Sequence, residues 1–295
     1  MTNIVVGFPL NKAGTLYVNG LGISPGTTTL KVAMAAGAAR DSTNQADIVL
    51  PTAVSINFGA NGANGLDTGA IAASTFYYVY VIGSSLSANP EINEDIQVST
   101  IGGTTLNGTV LTQTTVTQPA ASVANNPQPA GLVSLSATAP ALPLGYDMFR
   151  RVGAVLTGGG STVLPFWQDD NNDGTNRTMW YDAPISVLGA TAAAAFTAQS
   201  LAVAVPVIAL AGANTKVHLQ ADLLPNVAAE FVEIRPTGSA AAAGNVKMSG
   251  DVAAVHHFDQ LQAVCAVSAG AASIDWITDA ASTVALAVSA YVDKL

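Results

Sequence analysis

The sequence predicts an all-β protein, built as antiparallel β-sandwich or jelly-roll-like domains with an extended N-terminal arm. Three observations predict it. Short apolar runs that alternate with period two recur from end to end, the spacing at which residues share one face of a strand. Gly, Pro, Asn and Asp punctuate those runs at turn spacing. Long runs with the period of an amphipathic helix are scarce. The composition agrees: 49% of the 295 residues are hydrophobic and only 10% are charged, against about 25% charged in an ordinary domain. Such a chain buries a core of Ala, Val, Leu and Ile beneath a surface of Thr, Ser, Asn, Gln and Gly. That balance suits a subunit whose surface is covered by neighbouring copies.

TLYVNGLGI (15–23) and TTTLKVAMAAGAA (27–39) read as strands or extended arms broken by Gly and Pro25. DIVLPTAVSINF (47–58) reads as two short strands separated at Pro51. These pieces make 1–58 the expected arm. GANGANGLDTGA (59–70) is a Gly/Asn cluster of the kind that accepts positive φ. TFYYVYVIGSS (75–85) is the most aromatic strand, with Phe76, Tyr78, Tyr80 and Ile82 on one face and Tyr77, Val79 and Val81 on the other. Both faces need a cover, from a second sheet or from another subunit.

Residues 96–146 carry no charge and read as a long β-excursion or extended loop, a disordered linker being the alternative. MFRRVGAVL (148–156), the turn TGGGS and VLPFWQ (163–168) predict a hairpin, and TMWYDAPISVL (178–188) a further strand. The alanines at 192–195 suit either a helical turn or a small-residue strand. Further strands are expected at 201–210, 215–221, 228–235, 245–255, 261–268 and 273–277, with TVALAVSAYVDKL closing the chain. A boundary near Leu188 divides a β-domain over 59–188 from a second β-sandwich over 189–295. No fixed-period repeat is present, so neither a propeller nor a solenoid is expected.

Several functions are excluded at this level. A net charge of −9 and ten scattered Lys and Arg leave no basic stripe for nucleic acid. Cys265 is the single cysteine, so no intramolecular disulfide forms and it reads as a small buried hydrophobe. The start MTNIVVGFPLNKAG lacks a basic region before its short apolar run, and no signal peptide is expected. The uncharged stretch 183–215 is interrupted by TAQS and Pro206 and alternates large with small residues, which is a strand pattern rather than a membrane span.

Catalytic motifs are missing as well. There is no H-E-x-x-H and no G-x-x-x-x-G-K. His256 and His257 point to opposite faces of a strand, whereas His218, Gln220 and Asp222 share one, as do His257 and Asp259. Two ligands on a strand do not make a metal site, and these read as surface polar residues. Glu91, Glu94 and Asp95 read as decoration of a turn after Pro90. The chain is expected to be non-enzymatic.

Two clusters remain. In FWQDDNNDGTNRTMW (166–180), Asp169, Asn171 and Asp173 followed by Gly174 match the first half of an EF-hand loop. The twelfth position, where a bidentate Glu belongs, holds Trp180. The candidate cofactor is therefore calcium; otherwise the stretch is a polar turn, with Asp170, Asn172 and Gly174 at an exposed hairpin tip. Arg150 and Arg151 are the one adjacent basic pair. On a strand they face opposite ways, each able to anchor a carboxylate across a sheet or subunit boundary, or else to serve as a solvated edge charge.

The run SLSATAPALPLGYDMFRRVGAVLTGGGSTVLPFWQ (134–168) resembles a segment of tailed-phage virion proteins, those of tail-fibre, head-fibre and capsid-decoration type. The pattern is L-P-x-G-Y, then R-R-[IV]-G, a Gly/Ser turn and an aromatic strand. It falls here on Leu142, Pro143, Gly145, Tyr146, Arg150, Arg151, Val152, Gly153, Phe166, Trp167 and Gln168. The aromatic strand within 62–82 and the ending AVSAYVDKL are similar to the same family. The resemblance does not reach the first 50 residues or 100–130. It implies a β-rich homotrimer in the virion that contacts capsid, connector or tail proteins, with a host surface glycan as a further partner. The length favours a short fibre or knob, with Tyr78, Tyr80, Arg150 and Arg151 as interface candidates. A capsid cement protein is the alternative, and a carbohydrate-binding adhesin or depolymerase the second alternative.

Overall fold

The computed structural model describes residues 17–85, 105–106, 109–110, 127–170, 176–206, 215–240, 245–268, 271–279 and 281–295. In chain order the strands are β1 (Val18–Gly20), β2 (Ile23–Pro25), β3 (Lys31–Met34), β4 (Gly37–Arg40), β5 (Asp47–Leu50), β6 (Val54–Asn61) and β7 (Gly65–Leu66). Then come β8 (Phe76–Gly83), β9 (Thr105–Leu106), β10 (Thr109–Val110), β11 (Ala130–Ser134), β12 (Met148–Leu156), β13 (Phe166–Asp170) and β14 (Asn176–Thr191). The last are β15 (Thr197–Ser200), β16 (Thr215–Leu224), β17 (Glu230–Pro236), β18 (Val246–Gly250), β19 (His257–Ser268), β20 (Ala271–Thr278) and β21 (Thr283–Lys294). The all-β expectation holds. Pairing is antiparallel except where β7 runs parallel to β6 and to β11.

A seven-stranded sheet has the order β12-β8-β11-β7-β6-β3-β2, beside a three-stranded sheet, β1-β4-β5. β8 lies near the middle, buried along nearly its whole length. From Tyr77 to Ile82 its faces divide as the alternation predicts: Tyr77, Val79 and Val81 join the main core, while Tyr78, Tyr80 and Ile82 join a second cluster. Phe76, expected with the latter, packs against the main core and meets the Tyr291 ring edge-on. The face of Tyr78, Tyr80 and Ile82 is covered by the same chain, through Ala137, Leu142, Tyr146 and Phe149. The Tyr80 hydroxyl donates to the Ser136 carbonyl at 2.6 Å, and its ring meets Phe149 edge-on at 5.9 Å. The Gly/Asn cluster turns as expected, with positive φ at Gly62, Asn64 and Gly69.

Several expectations are corrected. From residue 17 onward the predicted arm is paired strand, and Val32, Met34, Ile56 and Phe58 are fully buried in the core; residues 1–16 lie outside the described residues. The uncharged excursion contains β11, which pairs with β8 on one side and β7 on the other. The 148–168 hairpin stops after its first rungs: Thr157 bridges Val163 and the Leu164 N–H reaches the Leu156 carbonyl, but Pro165 follows and β13 pairs with β14 instead. Residues 201–206 form a turn, closed by the Val205 N–H on the Leu201 carbonyl at 2.8 Å, while the preceding TAQS is the strand β15. The alanines at 192–195 form neither a strand nor a helical turn.

The remaining strands build a nine-stranded sheet, β13-β14-β21-β16-β19-β20-β17-β18, with β15 on β20. The expected boundary at Leu188 falls inside β14, where Leu188 pairs with Leu286. The change of sheet comes at Pro165 instead, because its ring lacks the N–H that would continue the ladder with β12. β16 alternates strictly, with Val217, Leu219, Ala221 and Leu223 buried and the residues between them facing out. One contiguous core cluster runs from Val18 to Tyr291, drawing on both large sheets.

Candidate functional site

The interface candidates are placed first. Tyr78 and Tyr80 are 4% and 1% exposed, so neither offers a surface to a neighbour; their own chain covers them. Arg150 and Arg151 point apart, as strand geometry requires, and both are anchors rather than solvated charges. Arg150 donates from Nε to the Arg40 carbonyl at 2.6 Å and from Nη2 to the Asn44 side-chain oxygen at 2.9 Å. Arg151 crosses to the other large sheet, pairing Nη1 with Asp293 Oδ1 at 2.9 Å and donating to the Lys294 carbonyl. A β-bulge between Arg151 and Gly153 re-aims β12 at this point.

Arg177 completes this junction. It is fully buried, and donates to the carbonyls of Gly20, Leu21 (2.9 Å) and Val152 (3.2 Å) and to Gln168 Oε1 (3.1 Å). Gln168 Oε1 also accepts the Ile23 N–H at 2.9 Å. Burial pushes the Asp293 carboxyl above the usual carboxylate range, and the Arg151 and Arg177 guanidiniums oppose that rise. The junction is a structural tie. No sequence signal marks Arg177, because the carbonyls of Gly20, Leu21 and Val152 that it reaches lie far away in the chain.

At the predicted hairpin tip, Asp169 is an exposed residue of β13 opposite Thr178, and Asp170 ends that strand. Asn171, Asn172, Asp173 and Gly174 lie outside the described residues. Trp180, at the twelfth loop position, sits in β14 with its ring stacked on Trp167 at 4.9 Å and 4°. Among the described residues no cluster of three His, Cys, Asp or Glu side chains is placed to hold a metal.

The outward face of the nine-stranded sheet gathers the polar and aromatic side chains that remain. Strand register sets them in rows. Trp167, Trp180, Ala290, His218 and Gln262 are successive cross-strand partners on β13, β14, β21, β16 and β19. Ala290 is small enough for the His218 ring to reach Trp180, at 4.7 Å between centroids. Burial and the nearby Lys216 charge hold the His218 imidazole below its ordinary range. The next row is Ser186, Ala287, Gln220 and Gln260, and beyond it Ala285, Asp222 and Phe258.

The last two of these rows form an open trough of about 510 Å³ between β14, β21, β16 and β19. Ala285 and Ala287 floor it, while Ser186, Gln220 and Gln260 line it with hydrogen-bonding groups. Phe258, 75% exposed, stands at its end. His256 braces that end, with Nδ1 2.7 Å from Asp222 Oδ1 and its ring stacked on Phe258 at 5.9 Å and 15°. The shared face of His218, Gln220 and Asp222 was legible from their spacing. Phe258 was not, because only the pairing of β16 with β19 brings it beside Asp222.

No family model matches the sequence, and no curated protein matches it significantly. Among solved structures, a carbohydrate-binding module of a Cellvibrio mixtus lichenase, in complex with cellotriose, is similar at 12% identity and a TM-score of 0.20, over 45% of this chain and 87% of that one. The enzymatically active domain of tailspike protein 4 of bacteriophage CBA120 is similar at 17% identity and a TM-score of 0.17, over 45% and 18%. The structure of infectious bursal disease virus, Gx strain, is similar at 10% identity and a TM-score of 0.20, over 96% of this chain and 67% of that one.

Proposed function

We propose that the chain is a non-enzymatic structural protein of a tailed-phage virion, a short fibre or knob assembled as a homotrimer and seated on capsid, connector or tail proteins. The observation that carries this reading is the L-P-x-G-Y segment that resembles such proteins. In the fold it covers the Tyr78–Tyr80 face, yet it leaves Leu144 98% exposed and Leu135, close by in sequence, 58% exposed. Large apolar side chains presented in this way fit burial by neighbouring copies.

Light scattering behind a sizing column tests the proposal. The expected mass is that of three 29.7 kDa chains, and Leu144→Asp is expected to dissociate them. A stable monomer at all concentrations would remove the fibre reading and favour a cement protein that orders on the capsid lattice. Host capsule treated with the protein is expected to stay intact; its degradation would favour the depolymerase reading.

A further inference from the structure

Beyond that structural role, and independent of it, we propose that the trough on the outward face of the nine-stranded sheet binds a neutral oligosaccharide. A sugar ring offers two kinds of surface, an apolar C–H face and a rim of hydroxyls that donate and accept. The trough supplies a counterpart to each. Phe258, 75% exposed, presents a ring at one end. Aromatic rings contribute large apolar contact in a fixed orientation.

Along the trough lie the groups that hydroxyls need. Gln220 and Gln260 each carry a carbonyl acceptor and an amide donor, Ser186 carries a hydroxyl, and Asp222 accepts only. His256 holds the Asp222 carboxylate and the Phe258 ring together, so acceptor and stacking surface are fixed relative to each other.

The floor decides the class of ligand. Ala285 and Ala287 make the trough shallow and smooth between taller walls, as a flat, flexible chain of rings requires. An anionic ligand would face Asp222 and Asp259, which line the same trough with no Lys or Arg among its lining. A protein partner would have to pair each amide and carboxylate one by one or leave them buried without partners, at a cost of about 1–3 kcal/mol apiece.

The test uses the whole chain with cellotriose, maltotriose and triacetylchitotriose, followed by saturation-transfer NMR and tryptophan emission. At least one sugar is expected to bind in the millimolar range, and Phe258→Ala and Asp222→Asn are each expected to weaken it about tenfold. Thermal midpoints should stay unchanged, since both side chains reach solvent. Absence of binding by all three at about 10 mM, or equal binding by Phe258→Ala, would overturn the proposal. So would self-association that Phe258→Ala abolishes, which would make this face a contact between copies. A monomer that binds sugar would uphold the trough while removing the fibre reading.

Discussion

The two large sheets use the same kind of strand in opposite ways. In the seven-stranded sheet, β8 and β11 are covered on both faces, so Tyr77 to Gly83 and Ala130 to Ser134 are buried without interruption. In the nine-stranded sheet, β16 buries every second residue and shows the rest to solvent. A strand covered on both sides has no side chain left to meet a ligand, and one covered on a single side has half of them. β8 and β11 are therefore scaffold, whereas β16 carries a row of side chains that reaches solvent.

That division can be broken most severely at the tie between the sheets. Arg151→Ala leaves the Asp293 carboxylate, 0% exposed, without its ion-pair partner, and is expected to cost about 3–5 kcal/mol, read as the urea midpoint. A loss below about 1 kcal/mol would mean that the sheets hold together without it. Gly131→Ala comes next. A methyl there would overlap the Ile56 side chain and come within 2.9 Å of the Met34 methyl, a crowding worth about 1–3 kcal/mol by the same measurement. The equivalent change on the outward face, Gly189→Ala, meets open space and is expected to be near neutral.

A smaller effect separates carboxylates by location. Burial raises the Asp41 carboxyl, but the N–H groups of Ala46, Gln45 and Thr43 and the Thr43 hydroxyl outweigh it, so its pKa falls below the ordinary 3.8. A depressed folded pKa gives stability that is present above that ordinary value and is lost as pH falls through the folded one. Thermal midpoints followed down to about pH 2 should drop less steeply for Asp41→Asn than for the native chain; parallel curves would show that Asp41 contributes nothing. The smallest effect is expected from metal. Because the twelfth loop position is the stacked Trp180, midpoints should coincide in EDTA and in millimolar calcium. A rise with calcium would assign a site to Asp169, Asn171 and Asp173.

Legibility in the sequence followed the same division. β16, β17, β20 and β21 were readable because one-sided burial writes a period of two into the residues. β11 was hidden, since two-sided burial of Ala-Gly-Leu-Val-Ser leaves no alternation and its neighbours are equally uncharged. The arm was misread because β1 to β5 are only three or four residues long, too short for a periodic signal. The opposite facing of the Arg pair was legible, but anchor and solvated edge charge stood as alternatives. Arg151 reaches a carboxylate and Arg150 a backbone carbonyl and Asn44, through contacts far away in sequence. Half of the trough was legible along β16; the other half came with β19, through a register that no local pattern records.

The position of β21 also governs how the chain is made. It lies between β14 and β16 in the nine-stranded sheet, and its Tyr291 hydroxyl reaches back to the Ala154 carbonyl at 3.1 Å. A nascent chain on the ribosome that has not yet exposed residues 283–294 holds two flanking strands with a gap between them. Until that gap fills, β14 and β16 present bare edges of the kind that recruit other chains. Another chain that paired with those edges first would take the place of β21, so correct folding of this sheet waits on residues 283–294.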